Sequence, residues 1–209
     1  MNWYDVRLDA ARRAAGLLTV DQVVALADRG VTVFDPFSTL VGERVELGEG
    51  CVLYPGTVLE CDAESACVLG RDNLLAPGTR ILAVHGGRVR IGDGNALGEG
   101  GAQVKANRQD ARIEIGDRTR ISGGAEVVGI STLGDGCQVI GAIGAQSVTL
   151  EGGGDWTHPD PDARGAVLKG FGLARGLSLR VGDVVNGAGD FRAAAVERQI
   201  DYHPRAAGR

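Results

Sequence analysis

Lysine is nearly missing from this sequence: of 22 basic residues only Lys105 and Lys169 are lysine. GC-rich codon usage produces such a bias, and it points to no function. Aromatic residues are scarce too, at 4% against 44% for all hydrophobic residues, so a core must be built from Val, Leu, Ile and Ala rather than from stacked rings. That apolar content argues against a disordered chain. No hydrophobic run reaches the ~18 uncharged residues that a membrane span needs. The segment from Met1 to Arg7 carries charges where a secretory signal has its apolar core, so a cytoplasmic location is expected. The four cysteines have no C-x-x-C spacing and specify neither a zinc site nor a disulfide framework. A net charge of −5 gives no bulk attraction to nucleic acid or to anionic membranes, which leaves a local basic patch as the route to phosphate recognition.

Glycine, by contrast, supplies 34 of 209 residues, more than twice the usual ~7%. A six-residue repeat gives it a reason. Hexads led by Val41, Leu47 and Leu53 carry Val45, Cys51 and Thr57 at the fifth position. After a slip, Ala63, Leu69, Leu75 and Ile81 lead hexads with Cys67, Asn73 and Thr79 fifth. A third register joins Ile91 and Leu97 to Ile115, Ile121, Val127, Leu133, Val139 and Ala145, with Thr119, Ala125, Ser131, Cys137 and Ile143 among its fifth positions. A helix repeats every 3.6 residues and a strand every two, so period six fits neither. It fits a β-solenoid in which each hexad is a short strand and a bend, with the first and fifth side chains inside and glycine at bends that need positive φ. Five to six coils are expected between Val41 and about Leu150.

Three slips interrupt the ruler, at Glu60 to Asp62, Ala83 to Arg88 and Gln103 to Arg112, the last polar enough to leave the solenoid. Loops ejected from a rigid scaffold are where binding groups tend to sit. A longer turn-rich stretch, Glu151 to Asp162, is not expected to be strand. Upstream, a helix around Asp5 to Ala15 ends near Gly16. Thr19-Val20-Asp21-Gln22 is a capping-box pattern, Val23, Val24, Leu26 and Ala27 form an apolar stripe, and Gly30 suits a C-cap. The expected division is a helical segment over 1–30, the β-helix over 31–150, a loop over 151–165, and a last irregular coil with a tail over 166–209.

The repeated Ile/Leu/Val-Gly-Asp/Glu hexads resemble the hexapeptide-repeat family, the left-handed parallel β-helices with about eighteen residues per coil. The junction Gly30-Val31-Thr32-Val33-Phe34-Asp35-Pro36, running into hexads as far as Ile81, is similar to the start of the acetyltransferase half of bifunctional N-acetylglucosamine-1-phosphate uridylyltransferase/glucosamine-1-phosphate acetyltransferases. Only sixteen residues precede Leu17, so uridylyl transfer is not expected. The family's Arg-Pro-Gly, Gly-His-Leu-x-Tyr and Asn-Tyr-Asp-Gly segments are also absent, and with them its catalytic histidine. The resemblance implies acyl transfer from coenzyme A to a small polar or sugar-phosphate acceptor, and a homotrimer with ligand grooves between chains. A non-catalytic trimeric scaffold or regulatory subunit, working with a separate sugar nucleotidyltransferase, is the alternative.

Acyl transfer to an amine or hydroxyl needs a base, most often histidine. His85, in a slip beside two glycines, and His158, in Trp156-Thr157-His158, are the candidate bases, while His203 reads as a tail-packing residue. The three share no hexad register, so a zinc site built from them is not expected. Lys169 and Arg175, embedded among glycines, and the following Arg180 suit the phosphates of acetyl-CoA. Lys105, Asn107 and Arg108 lie in the polar slip and are candidates for the acceptor. Cys51, Cys67 and Cys137 occupy fifth hexad positions and read as core, whereas Cys61 lies in a slip.

Overall fold

Short strands separated by bends stack in parallel, each on the equivalent strand one coil earlier, and together they make an all-β solenoid, a left-handed parallel β-helix. The computed structural model describes residues 3–203. The first face stacks Thr32–Val33, Val52–Leu53, Leu74–Leu75, Ala96–Glu99, Arg120–Ser122 and Gln138–Ile140. The second stacks Leu40–Val41, Val58–Cys61, Arg80–Ala83, Ala102–Ala106, Ala125–Val128 and Ile143–Gln146. The third stacks Val45–Leu47, Ala66–Leu69, Arg88–Ile91, Arg112–Ile115, Ile130–Leu133, Thr149–Leu150 and Ser178–Leu179. Residues Val41 to Leu150 thus wind through five to six coils, as the hexads imply. The nine-residue strand Val167–Arg175 then pairs with both Gln138–Ile140 and Ile143–Gln146, so it crosses from the first face to the second.

The repeat works because each position meets its own kind one coil away. Lead residues Leu53, Leu75, Leu97, Ile121 and Val139 form one buried column along the axis. Fifth residues Cys51, Asn73, Asn95, Thr119 and Cys137 are buried as well. In Ile-Gly-Asp the aspartate stitches coils together: Asp93 Oδ1 accepts from the Arg71 N–H (2.7 Å), Asp117 Oδ1 from Asp93 (2.8 Å) and Asp135 Oδ1 from Asp117 (2.9 Å). This explains the preceding glycine differently from the expectation. Gly92 does not have positive φ, but a Cβ there would overlap Asp117 Oδ1 and the Gly116 backbone. Close approach between coils, rather than bend conformation, excludes a side chain.

Several local expectations need correction. Ala63 leads no inward hexad and is exposed, because Cys61 already extends the strand of the previous coil. Gln103 to Ala106 does not leave the solenoid: Val104 and Ala106 are fully buried in a strand paired on both sides, and only residues 107–110 turn outward before Ala111 returns to the core. Gln103 and Lys105 occupy the alternating outward positions of this strand, so their polarity imitates that of a loop.

Helix α1 (Trp3–Ala14) and α2 (Val20–Val24) precede the first coil. The Thr19–Gln22 capping box forms with both hydrogen bonds, and Gly30 closes the segment in the left-handed conformation (φ 74°). Val23 and Leu26 face the core, but Val24 is 55% exposed, since the helix tightens into a 3-10 turn after it. Arg12 fastens α1 to the first coil. Its guanidinium donates to the backbone carbonyls of Leu18, Pro36, Phe37 and Thr39.

Residues 151–162 contain no strand. Phe191 packs on Gly187, and Gln199, opening α3 (Gln199–Tyr202), donates to the Gly165 carbonyl, which ties the tail to the last coil. Among the described residues, no helix is long and apolar enough to cross a membrane.

Candidate functional site

The edge between the second and third faces is where the slips leave the regular path. Successive coils turn there through Asp62 to Ser65, Val84 to Gly87 and Asn107 to Ala111. His85 adopts left-handed backbone (φ 56°), an uncommon state for a residue with a side chain. Two hydrogen bonds to the coil below hold it: its N–H donates to Asp62 Oδ2 (2.6 Å), and that of Gly86 to Ser65 Oγ (3.0 Å). The Ser65 hydroxyl, followed by the His85 N–H, draws the Asp62 carboxyl below its ordinary pKa. The imidazole itself is exposed and makes no hydrogen bond with a described residue.

Above this turn sits the next one. Gly86 lies against Gln109, and Arg108 pairs with Asp110 (3.1 Å). The two turns and the adjoining strands enclose an open cavity of about 510 Å³ lined by Glu64, His85, Gly86, Arg88, Gln109 and Arg112. The fold therefore stacks the turn of one candidate base, His85, beneath the turn bearing two candidate acceptor residues, Asn107 and Arg108. Lys105 projects from the second face just before that edge and is ion-paired with Glu126.

The remaining candidates lie elsewhere. His158 is half-buried in its loop, its ring packed on Gly154 and its Nδ1 beside the Asp160 carbonyl (3.1 Å). It follows the third-face strand three coils beyond His85, and three steps of ~4.8 Å put ~14 Å of axial rise between them. The two candidate bases do not share a cavity within one chain.

Nor do the three cations assigned to coenzyme phosphates converge. Lys169 is on the first face, where its Nζ sits 4.6 Å from the Tyr202 ring centroid. Arg175 is on the second face, with Nε donating to Gln146 Oε1 (2.9 Å). Arg180 follows the third-face strand and is exposed. A single chain offers no common cradle made of these three.

Two features escaped the reading of the sequence. Arg88 and Arg112 are direct neighbours in the third face, and their spacing of 24 residues, four hexads, was the available signal. His203 joins Lys169, Tyr202, Gln138 and Gln199 around a small cavity of about 150 Å³. The register of the tail carried no repeat from which this could be read.

No protein-family model matches the chain. Curated relatives do. The bifunctional protein GlmU of Carboxydothermus hydrogenoformans is 31% identical over 161 residues, covering 68% of this chain and 35% of that protein. The bifunctional protein GlmU of Mycobacterium bovis is 32% identical over 119 residues, 51% of this chain and 24% of that one. That of Mycolicibacterium smegmatis is 35% identical over 85 residues, 37% and 18% of the two chains. The chain thus spans about a third of the length of the first of these relatives and less of the others. With the six-residue repeat, the three-faced solenoid and these relatives in hand, the chain belongs to the hexapeptide-repeat left-handed β-helix proteins and resembles part of bifunctional protein GlmU.

Proposed function

We propose that this β-helix is an acyltransferase domain that moves an acetyl group from acetyl-CoA to an amino or hydroxy group of a small polar or sugar-phosphate acceptor. The observation that carries the reading is the stacking of the exposed His85 imidazole beneath the polar turn Asn107 to Asp110, with His85 and Gln109 lining one open cavity and Asn107 and Arg108 outside its wall. In this reading His85 takes the proton of the acceptor N–H or O–H as that atom attacks the thioester carbonyl. The carbon–sulfur bond then breaks, and the coenzyme thiolate takes up the proton from the imidazolium. Asn107, Arg108 and Lys105 bind the acceptor. His158 is the alternative base, at a second place along the solenoid.

Lys169, Arg175 and Arg180 meet the coenzyme's phosphates only if neighbouring chains bring them together, which makes a homotrimer part of the same proposal. Exposed apolar side chains support such packing: Phe34 and Phe37 are 59% and 62% exposed near the first face, and Phe171 is 62% exposed on the last coil. A cytoplasmic location completes the reading, and the four-part division of the chain given above is kept with it.

The alternative, a non-catalytic scaffold serving a separate sugar nucleotidyltransferase, is favoured by one observation. Among the described residues no side chain hydrogen-bonds the His85 ring, so none of them orients it as a base. Titration calorimetry with acetyl-CoA, coupled to thiol-release assays over a panel of amino sugars and sugar phosphates, separates the two. Acyl transfer that is lost in His85→Ala supports the enzyme. Absence of acetyl-CoA binding over a broad concentration range favours the scaffold.

A further inference from the structure

We infer that Arg88 and Arg112 form a phosphate-binding site on the third face, taking the dianion of a phosphomonoester in the cavity beside His85. The two are direct partners in adjacent parallel strands, ~4.8 Å apart in the stacking direction, and both point outward. Their column continues to Ala66 on one side and Ile130 on the other, so it holds two cations and no carboxylate. Like charges placed directly opposite each other on a sheet repel. Three other outward arginines have ion-pair partners, Arg80 with Glu60, Arg120 with Glu99 and Arg118 with Asp155, and Arg90 faces Glu114 across the strands. Among the described residues, Arg88 and Arg112 have no ion pair or hydrogen bond from their side chains.

The nearby carboxylates do not remove the repulsion. Asp62 is engaged by Ser65 and by the His85 N–H, and Asp110 by Arg108. Glu114 neighbours Arg90 in register rather than Arg112. Glu64 stands in the cavity wall beyond ion-pair distance of both guanidinium groups.

Gly86 contributes only backbone to the cavity wall, and Gly87 next to it is packed too tightly on the Ala106 carbonyl to carry a side chain. Two guanidinium forks side by side match the oxygens of a phosphomonoester, since each can bind two oxygens at once. The imidazole of His85 and the amide of Gln109 line the same space. Both sources considered above, a sugar-phosphate acceptor and the 3′-phosphate of coenzyme A, present this group.

The inference rests on reading this edge as the ligand-binding edge, but phosphate retention can be measured without turnover. Inorganic phosphate is titrated into the full chain at low ionic strength and followed by calorimetry or phosphorus NMR. We expect saturable binding that weakens at least about tenfold in Arg88→Gln and again in Arg112→Gln. Arg112→Lys should recover part of the loss, and Glu64→Gln should tighten binding. The substituted side chains are exposed, and circular dichroism checks that the β-helix persists.

Stronger displacement of phosphate by coenzyme A than by its 3′-dephospho form assigns the phosphate to the donor. Stronger displacement by a hexose phosphate assigns it to the acceptor, and either result upholds the site. No phosphate binding by the parent protein, or unchanged affinity in Arg88→Gln/Arg112→Gln with Glu64→Gln also silent, overturns it. Phosphate binding without any acetyl transfer would leave the site standing and remove the proposed reaction.

Discussion

The side chain of Asn73 lies directly beneath that of Asn95, and its Oδ1 accepts from both the backbone N–H and the Nδ2 of Asn95, each at 2.9 Å. Asn95 repeats the arrangement upward, its Oδ1 accepting from the Thr119 N–H (2.7 Å), while Asn73 Nδ2 donates to the Gly92 carbonyl (2.8 Å). All three residues are buried. The ladder therefore lets polar side chains occupy inward positions without leaving a donor or acceptor bare.

Removing the middle rung orphans the group above it. In Asn95→Ala the Thr119 N–H loses its acceptor, while Asn73 Oδ1 keeps the backbone N–H of residue 95, and one buried unsatisfied group costs about 1–3 kcal/mol. A loss of roughly 1–3 kcal/mol in urea unfolding is expected. A loss below about 1 kcal/mol would mean that the ladder contributes little beyond filling space.

Two glycines that look alike in sequence should respond differently to alanine. Gly92→Ala places a methyl group into Asp117 Oδ1 and the Gly116 backbone, so the coils must separate. Gly78 has φ 78° with nothing within 4 Å of a built Cβ. Gly78→Ala meets only the cost of left-handed backbone, about 1 kcal/mol. Thermal denaturation of both variants should show Gly92→Ala the more damaged, and the reverse order would sink the close-approach account.

Much of this fold was legible because the repeat is physical: Leu97, Ile121 and Val139 stand in one column for the same reason that they stand in phase in the sequence, and the slips before them bring Leu53 and Leu75 into that column. Helix α2 was legible through Thr19 and Gln22, whose capping bonds are local. The candidate site was only partly so. The stacking of His85 under the Asn107 turn follows from the slips, but the scatter of Lys169, Arg175 and Arg180 over three faces does not. The strand Val167–Arg175 crosses two faces without a bend residue that breaks the hexad rule, so its register depended on pairing rather than on pattern. Gln103 and Lys105 show the opposite error, polar residues taken for a loop when they are the outward half of a strand.

The Arg12 guanidinium makes a prediction for the N-terminal segment. It is only 3% exposed, binds four carbonyls, and leaves its own Nε and the nearby Thr39 hydroxyl without partners. Arg12→Leu removes the donors while leaving a similar apolar bulk. Bonds from charged donors are worth about 1.5–3 kcal/mol each but are not additive, so α1 should detach before the solenoid yields. Hydrogen exchange is expected to speed up across α1 and Asp35 to Thr39 while the strand Ile113 to Ile115 stays protected. Equal acceleration in both regions would show that α1 is not a separable unit.

The cysteines supply a pH dependence with a definite sign. Burial pushes the thiols of Cys67 and Cys137 up to about 12 from an ordinary 9.0, and raises Cys51 and the half-buried Cys61 as well. A raised thiol pKa means that the folded chain holds protons which the unfolded chain gives up. Stability is therefore unaffected below about pH 9 and falls between pH 9 and 12, by roughly 1–1.5 kcal/mol per fully buried thiol at pH 10. In Cys67→Ala/Cys137→Ala the neutral-pH stability drops through lost packing, but the decline from pH 8 to pH 10 should be shallower than in the parent by about 2–3 kcal/mol. Native thiol labelling gives an independent check, with slow reaction at Cys61 alone and all four cysteines reacting only on unfolding. Parallel stability curves for parent and variant across that range, or fast native labelling at Cys67 or Cys137, would refute the burial of these thiols.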